Sequence, residues 1–216
     1  MEKDIVGKLR MSVESLIPDK HDGIIEKNKK GGNFQDSVML VAIAALLYSI
    51  VGGAASILIL LISGLSVTGL GLVLVSLVIG FIFTVGFFAV NQHILKFIAT
   101  SMNVKGNFDE QCYSLALITS GALVINTALA VINVIPCLGQ LVSLIAGLAL
   151  ALWMLYLYYK IIKKVYSTDS TKAATILIAD IVVVFIIAFV VSFILSFVLA
   201  FLGLGAALFG SFALNG

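Results

Sequence analysis

One carboxylate lies well inside a long apolar run of this sequence. Asp180 is followed by more than ten residues of Val, Ile, Phe and Ala. A carboxylate among lipid tails is costly unless it is paired, hydrated or protonated. Residues that we expect at a similar depth in other apolar runs, and that can hydrogen-bond Asp180, are Asn91, Thr119, Ser120 and Tyr156. This intramembrane polar cluster is either a clasp that joins helices or a proton or ligand site in a water-filled vestibule.

The other residue types that carry out chemistry are few and far apart. Cys112 and Cys137 are expected at opposite ends of one span, which argues against a shared metal site or a disulfide. His21 lies in a charged segment, and His93 lies near the end of a span. No Ser, His and Asp set shares one depth, and no glycine-rich phosphate loop occurs. We therefore expect no metal, no cofactor and no enzymatic activity.

Composition indicates a membrane protein. The chain is 61% hydrophobic and only 11% charged, too little charge to cover a soluble domain of 216 residues. Its net charge of +2 is too small to suggest a nucleic-acid partner. The predicted fold is an all-α polytopic bundle of five transmembrane helices in the lipid bilayer. The predicted spans are Asp36 to Leu61, Thr68 to Ile98, Cys112 to Ile135, Leu141 to Lys163, and Ala173 to Leu202.

The distribution of charge predicts the orientation of these spans. The turns "SGLSVT" and "NVIPCLGQ" carry no charged residue. The Lys and Arg residues lie in the N-terminal segment, between Lys96 and Glu110, or between Lys160 and Lys172. Cytoplasmic loops collect Lys and Arg, so these three segments are predicted to be cytoplasmic. The N-terminus is then cytoplasmic, and the C-terminus lies outside.

The tripeptide Gly-Asn-Phe occurs twice, before the first span and before the third. Asn33 and Asn107 are predicted helix caps, and the acidic residues that follow complement the helix dipole. Phe34 and Phe108 are predicted to anchor at the depth of the lipid headgroups. The repeat indicates either two related helical hairpins or simply two similar helix starts.

Residues 1–35 are predicted to form a cytoplasmic amphipathic helix and linker ahead of the transmembrane domain, residues 36–216. Leu9 and Leu16 share an apolar helical face with Ile5, Val13 and Ile17, and Pro18 ends the pattern. Such a helix lies in the membrane interface, docks on the cytoplasmic ends of the bundle, or binds a partner. Leu9 and Leu16 are our predicted interface anchors, and "HDGIIEKNKKGGN" is predicted to be a flexible charged linker.

Small residues at helical spacing mark faces that allow close helix packing. The fourth span contains Gly139, Ser143, Gly147 and Ala151, and other spans contain similar stripes. These faces either meet within one chain or form the seam of a homo- or hetero-oligomer.

The second half of the chain resembles the prokaryotic branch of the Yip-domain family, named for Ypt-interacting proteins. The resemblance covers residues 105–190 and includes "GNFDEQCYSLALITSGALV". The residues that match the family pattern are Pro136, Gly139, Gly147, Trp153, Ser167, Thr168, Lys172 and Ala173. The resemblance implies five spans with a cytoplasmic N-terminus.

For prokaryotic members the resemblance implies no particular activity. The predicted function is a non-enzymatic membrane scaffold that acts through its cytoplasmic face on an unidentified protein partner or on the bilayer. The resemblance also implies a prokaryotic plasma membrane as the location. Eukaryotic relatives are linked to vesicle traffic and Rab-type GTPases, but the short N-terminal segment of this chain departs from them. The alternative is a channel, transporter or lipid translocator for an ion, small solute or lipid, with Asp180 in its path.

Overall fold

The computed structural model describes residues 2–28, 31–64 and 67–213, and these residues form helices without any β-strand. Two short helices come first, α1 (Glu2–Glu14) and α2 (Pro18–Asn28). Five long helices follow: α3 (Phe34–Ser63), α4 (Val67–Ser101), α5 (Phe108–Ile132), α6 (Leu138–Val165) and α7 (Ser170–Ala213).

All five long helices contain segments that are long and apolar enough to cross a membrane. This confirms the predicted number of spans and indicates an integral membrane protein. Each long helix begins between one and four residues before its predicted span, because residues of the preceding turn or elbow already belong to the first helical turn. The 28 residues of α6 extend about 42 Å at the helical rise, which exceeds the roughly 30 Å of a bilayer core.

The chain divides into two compact units, residues 1–177 and residues 178–216. In the first unit α3 packs between α4 and α5, and α5 also packs against α6 and α1. The most completely buried stretch is the first half of α5, from Gln111 to Ile118. In the second unit most large side chains of α7 that are described are exposed, such as Phe185 and Phe189.

The N-terminal segment contains one more helix than the sequence predicts. α1 ends at Glu14, three residues before the apolar pattern ends at Ile17, and Pro18 begins α2 instead of a loop. Proline suits the first helical turn because its missing N–H has no partner there in any case. The predicted flexible linker is therefore wrong from residue 21 to residue 28, where the chain is helical.

Small residues bring the helices of the first unit together at some of the predicted positions. A Cβ on Gly139 would overlap the carbonyl oxygen of Ile132, and the Ser143 hydroxyl donates to the Leu129 carbonyl at 3.2 Å. These contacts join α6 to the end of α5. Gly147, further along the same stripe, has no atom within 4 Å of its Cβ position among the described residues. Only the first part of the α6 stripe is thus used in this contact.

Candidate functional site at the elbow end of the bundle

Two chain segments meet at one end of the first unit, which we call the elbow end. The first elbow is residues 31–36, before α3, and the second elbow is residues 105–110, before α5. The Asn33 side chain accepts a hydrogen bond from the Asp36 amide, and the Asp36 carboxylate accepts one from the Asn33 amide, forming a capping box. Asn107 caps α5 by accepting from the amides of Asp109 and Glu110. The predicted caps thus form hydrogen bonds in both elbows.

The two elbows also contact each other. The Phe34 amide donates to the Asp109 carboxylate at 3.1 Å, and the Phe34 and Phe108 rings stack with centroids 5.6 Å apart. His93 from α4 packs against both rings, at 5.2 and 5.1 Å. Lys96 lies over the Phe108 ring at 4.6 Å. Phe34 and Phe108, which we predict to be separate headgroup anchors, therefore form one aromatic cluster that joins α3, α4 and α5.

A glycine in each elbow packs against a tyrosine ring. A Cβ on Gly32 would overlap the Tyr113 ring, and a Cβ on Gly106 would overlap the Tyr166 ring. Only glycine leaves room for these rings. The two tyrosines lie in different places, one in the first turns of α5 and the other just after α6, so both interpretations of the repeat stay predictions.

A third elbow, residues 167–172, starts α7 in the same way. The Asp169 carboxylate accepts from the Lys172 amide at 2.7 Å, so Asn33, Asn107 and Asp169 occupy equivalent positions. The fourth, seventh and eleventh residues after each of these three caps are buried. They are Ser37, Leu40 and Ala44 on α3, Gln111, Ser114 and Ile118 on α5, and Ala173, Ile176 and Asp180 on α7. Asp180 therefore occupies the buried position that an apolar residue fills on the other two helices.

A buried polar network lies just inside the elbow end. The Gln111 amide group donates to the backbone and side-chain oxygens of Gln92, both at 3.0 Å, and the Tyr166 hydroxyl donates to the Gln111 side-chain oxygen. The network joins α4, α5 and the end of α6. Sequence reasoning missed it, although two glutamines beside long apolar runs are a signal for polar contacts between helices.

Thr119, a member of the predicted polar cluster, bonds a tyrosine of α6 other than the predicted one. Its hydroxyl shares a hydrogen bond of 3.2 Å with the Tyr158 hydroxyl. Tyr156 is exposed and packs beside the Trp153 ring, with centroids 5.2 Å apart. Because residues two positions apart lie on different faces of a helix, Tyr156 lies outside the buried cluster in which the sequence places it.

The remaining members of the predicted cluster are buried polar groups. The Asn91 side-chain oxygen and the Ser120 hydroxyl have no hydrogen-bond partner among the residues that the structure describes. Asp180 is buried and belongs to the second unit, whereas its four predicted partners belong to the first. The clasp and the vestibule both stay predictions for Asp180.

The N-terminal helix pair, which is α1 with α2, packs on the bundle. The Ser12 carbonyl lies so close to Gly121 of α5 that a Cβ there would overlap its oxygen. The Trp153 indole donates to the Leu16 carbonyl at 2.8 Å, and Leu16 is buried. Leu9 packs partly buried against the same core. These contacts show α1 docked on the protein rather than apart from it. They lie half-way along α5 and inside α6, however, and not at the helix ends where the sequence places a docked segment.

The second helix of this pair is fixed by charges at the end of α6. Lys160 pairs with Asp22 at 2.8 Å, and Lys164 pairs with Glu26 at 3.3 Å. The second pair lies four residues after the first on both helices, so α2 runs parallel to the end of α6. The hydrogen bond from Lys160 lowers the pKa of Asp22 below its usual value. Such exposed pairs contribute about 0–1 kcal/mol each.

His21 is the buried titratable group of the N-terminal helix pair. Its Nδ1–H donates to the Ser15 carbonyl at 2.8 Å. Burial lowers the pKa of His21; the Ser15 hydrogen bond and Asp22 oppose this effect, whereas Lys160 and Lys164 add to it. The neutral imidazole is therefore the form that suits the docked helix pair.

The residues of the family pattern lie mostly at turns and helix contacts. Pro136 is in the turn between α5 and α6, where its carbonyl accepts from the Leu138 amide at 2.7 Å. Ser167 has a positive φ of 46°, and the Thr168 amide donates to the Lys163 carbonyl at 3.2 Å. Gly139 lies in a helix contact, whereas Gly147 has open space at its Cβ position. Trp153 donates a hydrogen bond, the Lys172 amide is capped, and Ala173 is buried.

A cleft opens between α3 and α4, away from the elbow end. It has a volume of about 320 Å³ and is lined by small and hydroxyl side chains together with Ile59, Leu77 and Asn133. Ser56 and Thr84 line it and donate to carbonyls of their own helices, which leaves their oxygen lone pairs as acceptors. A smaller cleft of about 170 Å³ shares Ile59 and Asn133 with it and reaches Gln140.

Comparison with known proteins finds no relative of this chain: no protein-family model, no curated protein and no solved structure matches it. Within the part of the chain that the structure describes, no group of three or more His, Cys, Asp or Glu side chains is placed to hold a metal ion.

Proposed function

We propose that this chain is a Yip-type integral membrane scaffold without catalytic activity, and that its elbow end faces the cytoplasm. The proposal is supported chiefly by one observation: at that end the first two elbows contact each other through an aromatic cluster, and α2 pairs with the end of α6. The orientation rests on the Lys and Arg residues, which collect in the segments that form this end. The resemblance to the Yip-domain family implies a prokaryotic plasma membrane as the location.

The use of the buried polar groups also supports a scaffold. Gln92, Gln111 and Tyr166 hydrogen-bond one another, and Thr119 bonds Tyr158. Each of these bonds joins two helices. Polar groups used in this way hold the elbow end in one arrangement and favour a face that presents a fixed surface to a partner.

Site-directed photo-crosslinking in the native membrane tests this proposal. A photoreactive amino acid replaces Lys105 or Asp169 at the elbow end, or Gln140 or Cys137 at the opposite end; all four side chains are exposed. We expect discrete protein adducts from the two elbow positions and none from the other two. Identical patterns from both ends, or no protein adduct from Lys105 and Asp169, would contradict a cytoplasmic scaffold.

A second candidate function is translocation of an ion, a small solute or a lipid. The observation that favours it is the cleft between α3 and α4, which has hydroxyl side chains in its lining and shares Asn133 with a smaller, mostly apolar cleft that reaches Gln140. Hydroxyl and amide oxygens in apolar surroundings offer a polar molecule hydrogen-bond acceptors in this part of the bundle.

Flux through liposomes that contain the purified protein tests this second candidate. Protons, cations and labelled lipids are offered, with the Asp180→Asn and Thr84→Val variants alongside. Thr127→Val is the matched control, because Thr127 also bonds its own helix but does not line the cleft. Flux that is lost with Asp180→Asn and Thr84→Val but kept with Thr127→Val would establish translocation over scaffolding.

A further inference from the structure

The basic end of α6, Lys160 and Lys164, lies where a membrane surface is expected. A bilayer core takes about 20 residues of helix, and that length counted from Leu138 ends near Leu157. Three tyrosines, at positions 156, 158 and 159, surround this level, as aromatic residues do at membrane interfaces. The lysines that follow are therefore at headgroup level or just beyond it.

α2 covers this basic end with carboxylates. Asp22 and Glu26 are four residues apart, as are Lys160 and Lys164, so both pairs form at once when α2 lies along α6. The carboxylates are 63% and 66% exposed and the lysines about half as much, 30% and 33%. The lysines are thus the less exposed members of both pairs, and the carboxylates of α2 lie on the water-facing side.

α2 is attached to the bundle by few buried side chains. Its buried side chains are His21 and Ile25, and the others that are described are half-buried or exposed. Exposed ion pairs are weak and are screened by salt. α1, by contrast, packs closely on α5. α2 can therefore leave α6 while α1 stays in place.

We propose that α2 is a displaceable cover and that anionic phospholipid headgroups replace it on Lys160 and Lys164. This inference rests on the proposed function, since it names a partner for the same face. A phosphate group binds a lysine ammonium through the same charge-assisted hydrogen bonds as a carboxylate does. A lysine near an anionic surface gains about as much as an exposed ion pair contributes, so lipid and α2 compete on similar terms.

The distance between two spin labels measures the position of α2 in the full chain. Labels are attached to Lys27→Cys on α2 and Ser167→Cys beyond α6, in a Cys137→Ser background; Cys112 is buried. The protein is placed in nanodiscs of phosphatidylcholine with increasing phosphatidylglycerol. We expect the long-distance population to rise about fivefold, as a net gain of about one exposed ion pair would produce, and to fall again with added salt.

Two variants and one competitor separate the outcomes. Asp22→Asn with Glu26→Gln weakens the cover, so displacement should need less phosphatidylglycerol. Lys160→Gln with Lys164→Gln removes the lipid site, so the dependence on phosphatidylglycerol should disappear. An unchanged distance in wild-type protein, or a dependence that survives loss of both lysines, would overturn the proposal. Displacement by a soluble glutamate peptide but not by phosphatidylglycerol would also overturn it and indicate a protein partner instead; the crosslinking result is independent of all these outcomes.

Discussion

At the residue scale, Gly121 decides how closely α1 approaches α5. A side chain there meets the Ser12 backbone, which cannot rotate away as a flexible side chain can. Gly147 on α6 is also helical but has open space at its Cβ position. The two glycines therefore have different roles despite similar sequence surroundings.

We expect Gly121→Ala to push α1 away from α5 and to lower the free energy of unfolding by about 1–3 kcal/mol. Trypsin cleavage at Arg10 in detergent should become faster, since the helix that carries it loosens. Gly147→Ala is the matched control and should leave cleavage unchanged. Equal cleavage rates in both variants would show that the α1 contact is not tight.

His21 makes docking of the N-terminal helix pair depend on pH. Its pKa is lowered from 6.5 in the docked state, so the undocked state binds more protons at mildly acidic pH. Docking should be complete above pH 6.5 and weaken as pH falls below that value. The charged groups facing His21 are Asp22, Lys160 and Lys164.

Tryptophan fluorescence measures this pH dependence, because Trp153 is the only tryptophan and bonds Leu16. We expect the emission to shift as pH falls below 6.5, and His21→Gln to abolish the shift, since Gln does not titrate. The shift due to Asp22 would appear only near or below its usual pKa of 3.8. If the emission still shifts in the His21→Gln variant, a titratable group other than His21 causes the pH dependence.

At the scale of elements, the first and second elbows support each other. Their contacts are the hydrogen bond from Phe34 to Asp109 and the stacked Phe34 and Phe108 rings. No hydrogen bond or ring contact joins the first elbow to the third among the described residues. The starts of α3 and α5 are therefore linked directly, whereas no such contact links the start of α7 to that of α3 in the part of the chain that the structure describes.

We expect Asn33→Ala and Asn107→Ala each to cost about 1 kcal/mol of stability, the usual loss for a removed cap. Together they should cost less than their sum by at least about 0.5 kcal/mol, because the first change already loosens the second elbow. Asn33→Ala with Asp169→Ala is the control pair and should be additive. Denaturation in detergent measures all three, and additivity of both pairs would contradict mutual support.

The sequence predicts the long elements well and the contacts between them poorly. Hydropathy identified all five spans, and Asn33 and Asn107 identified two helix starts, since both signals are local. α2 was missed because its charged sequence forms a helix with support from α6, a partner far along the chain. The Gln92, Gln111 and Tyr166 network was missed because the pairing of polar residues depends on which helices are neighbours.

At the scale of the whole molecule, the opposite ends of the bundle differ in charge. The elbow end carries the ion pairs and the exposed Lys105, whereas Cys137 lies exposed in the uncharged turn at the other end. Cys112 is buried and so cannot report on either side. An added cysteine at the elbow end is therefore needed to determine orientation.

We expect an impermeant maleimide applied to intact cells to label Cys137. In a Cys137→Ser background, Lys105→Cys should be labelled only after the membrane is made permeable. The physical reason is that segments rich in Lys and Arg stay in the cytoplasm. Labelling of Lys105→Cys in intact cells, with Cys137 protected, would reverse the orientation.

The docking of the N-terminal helix pair has a consequence for biosynthesis. Leu16 bonds Trp153, and Asp22 pairs with Lys160, so these contacts join residues 137 and 138 positions apart. At a synthesis rate of roughly 5–20 residues per second, the first helices leave the ribosome roughly 7–28 seconds before their partners. Until α5 and then α6 have followed, these contacts do not cover the apolar face of the first helices. An apolar helical face without a protein partner binds the membrane interface. We therefore expect α1 of the nascent chain to lie on the membrane surface before it docks on the bundle.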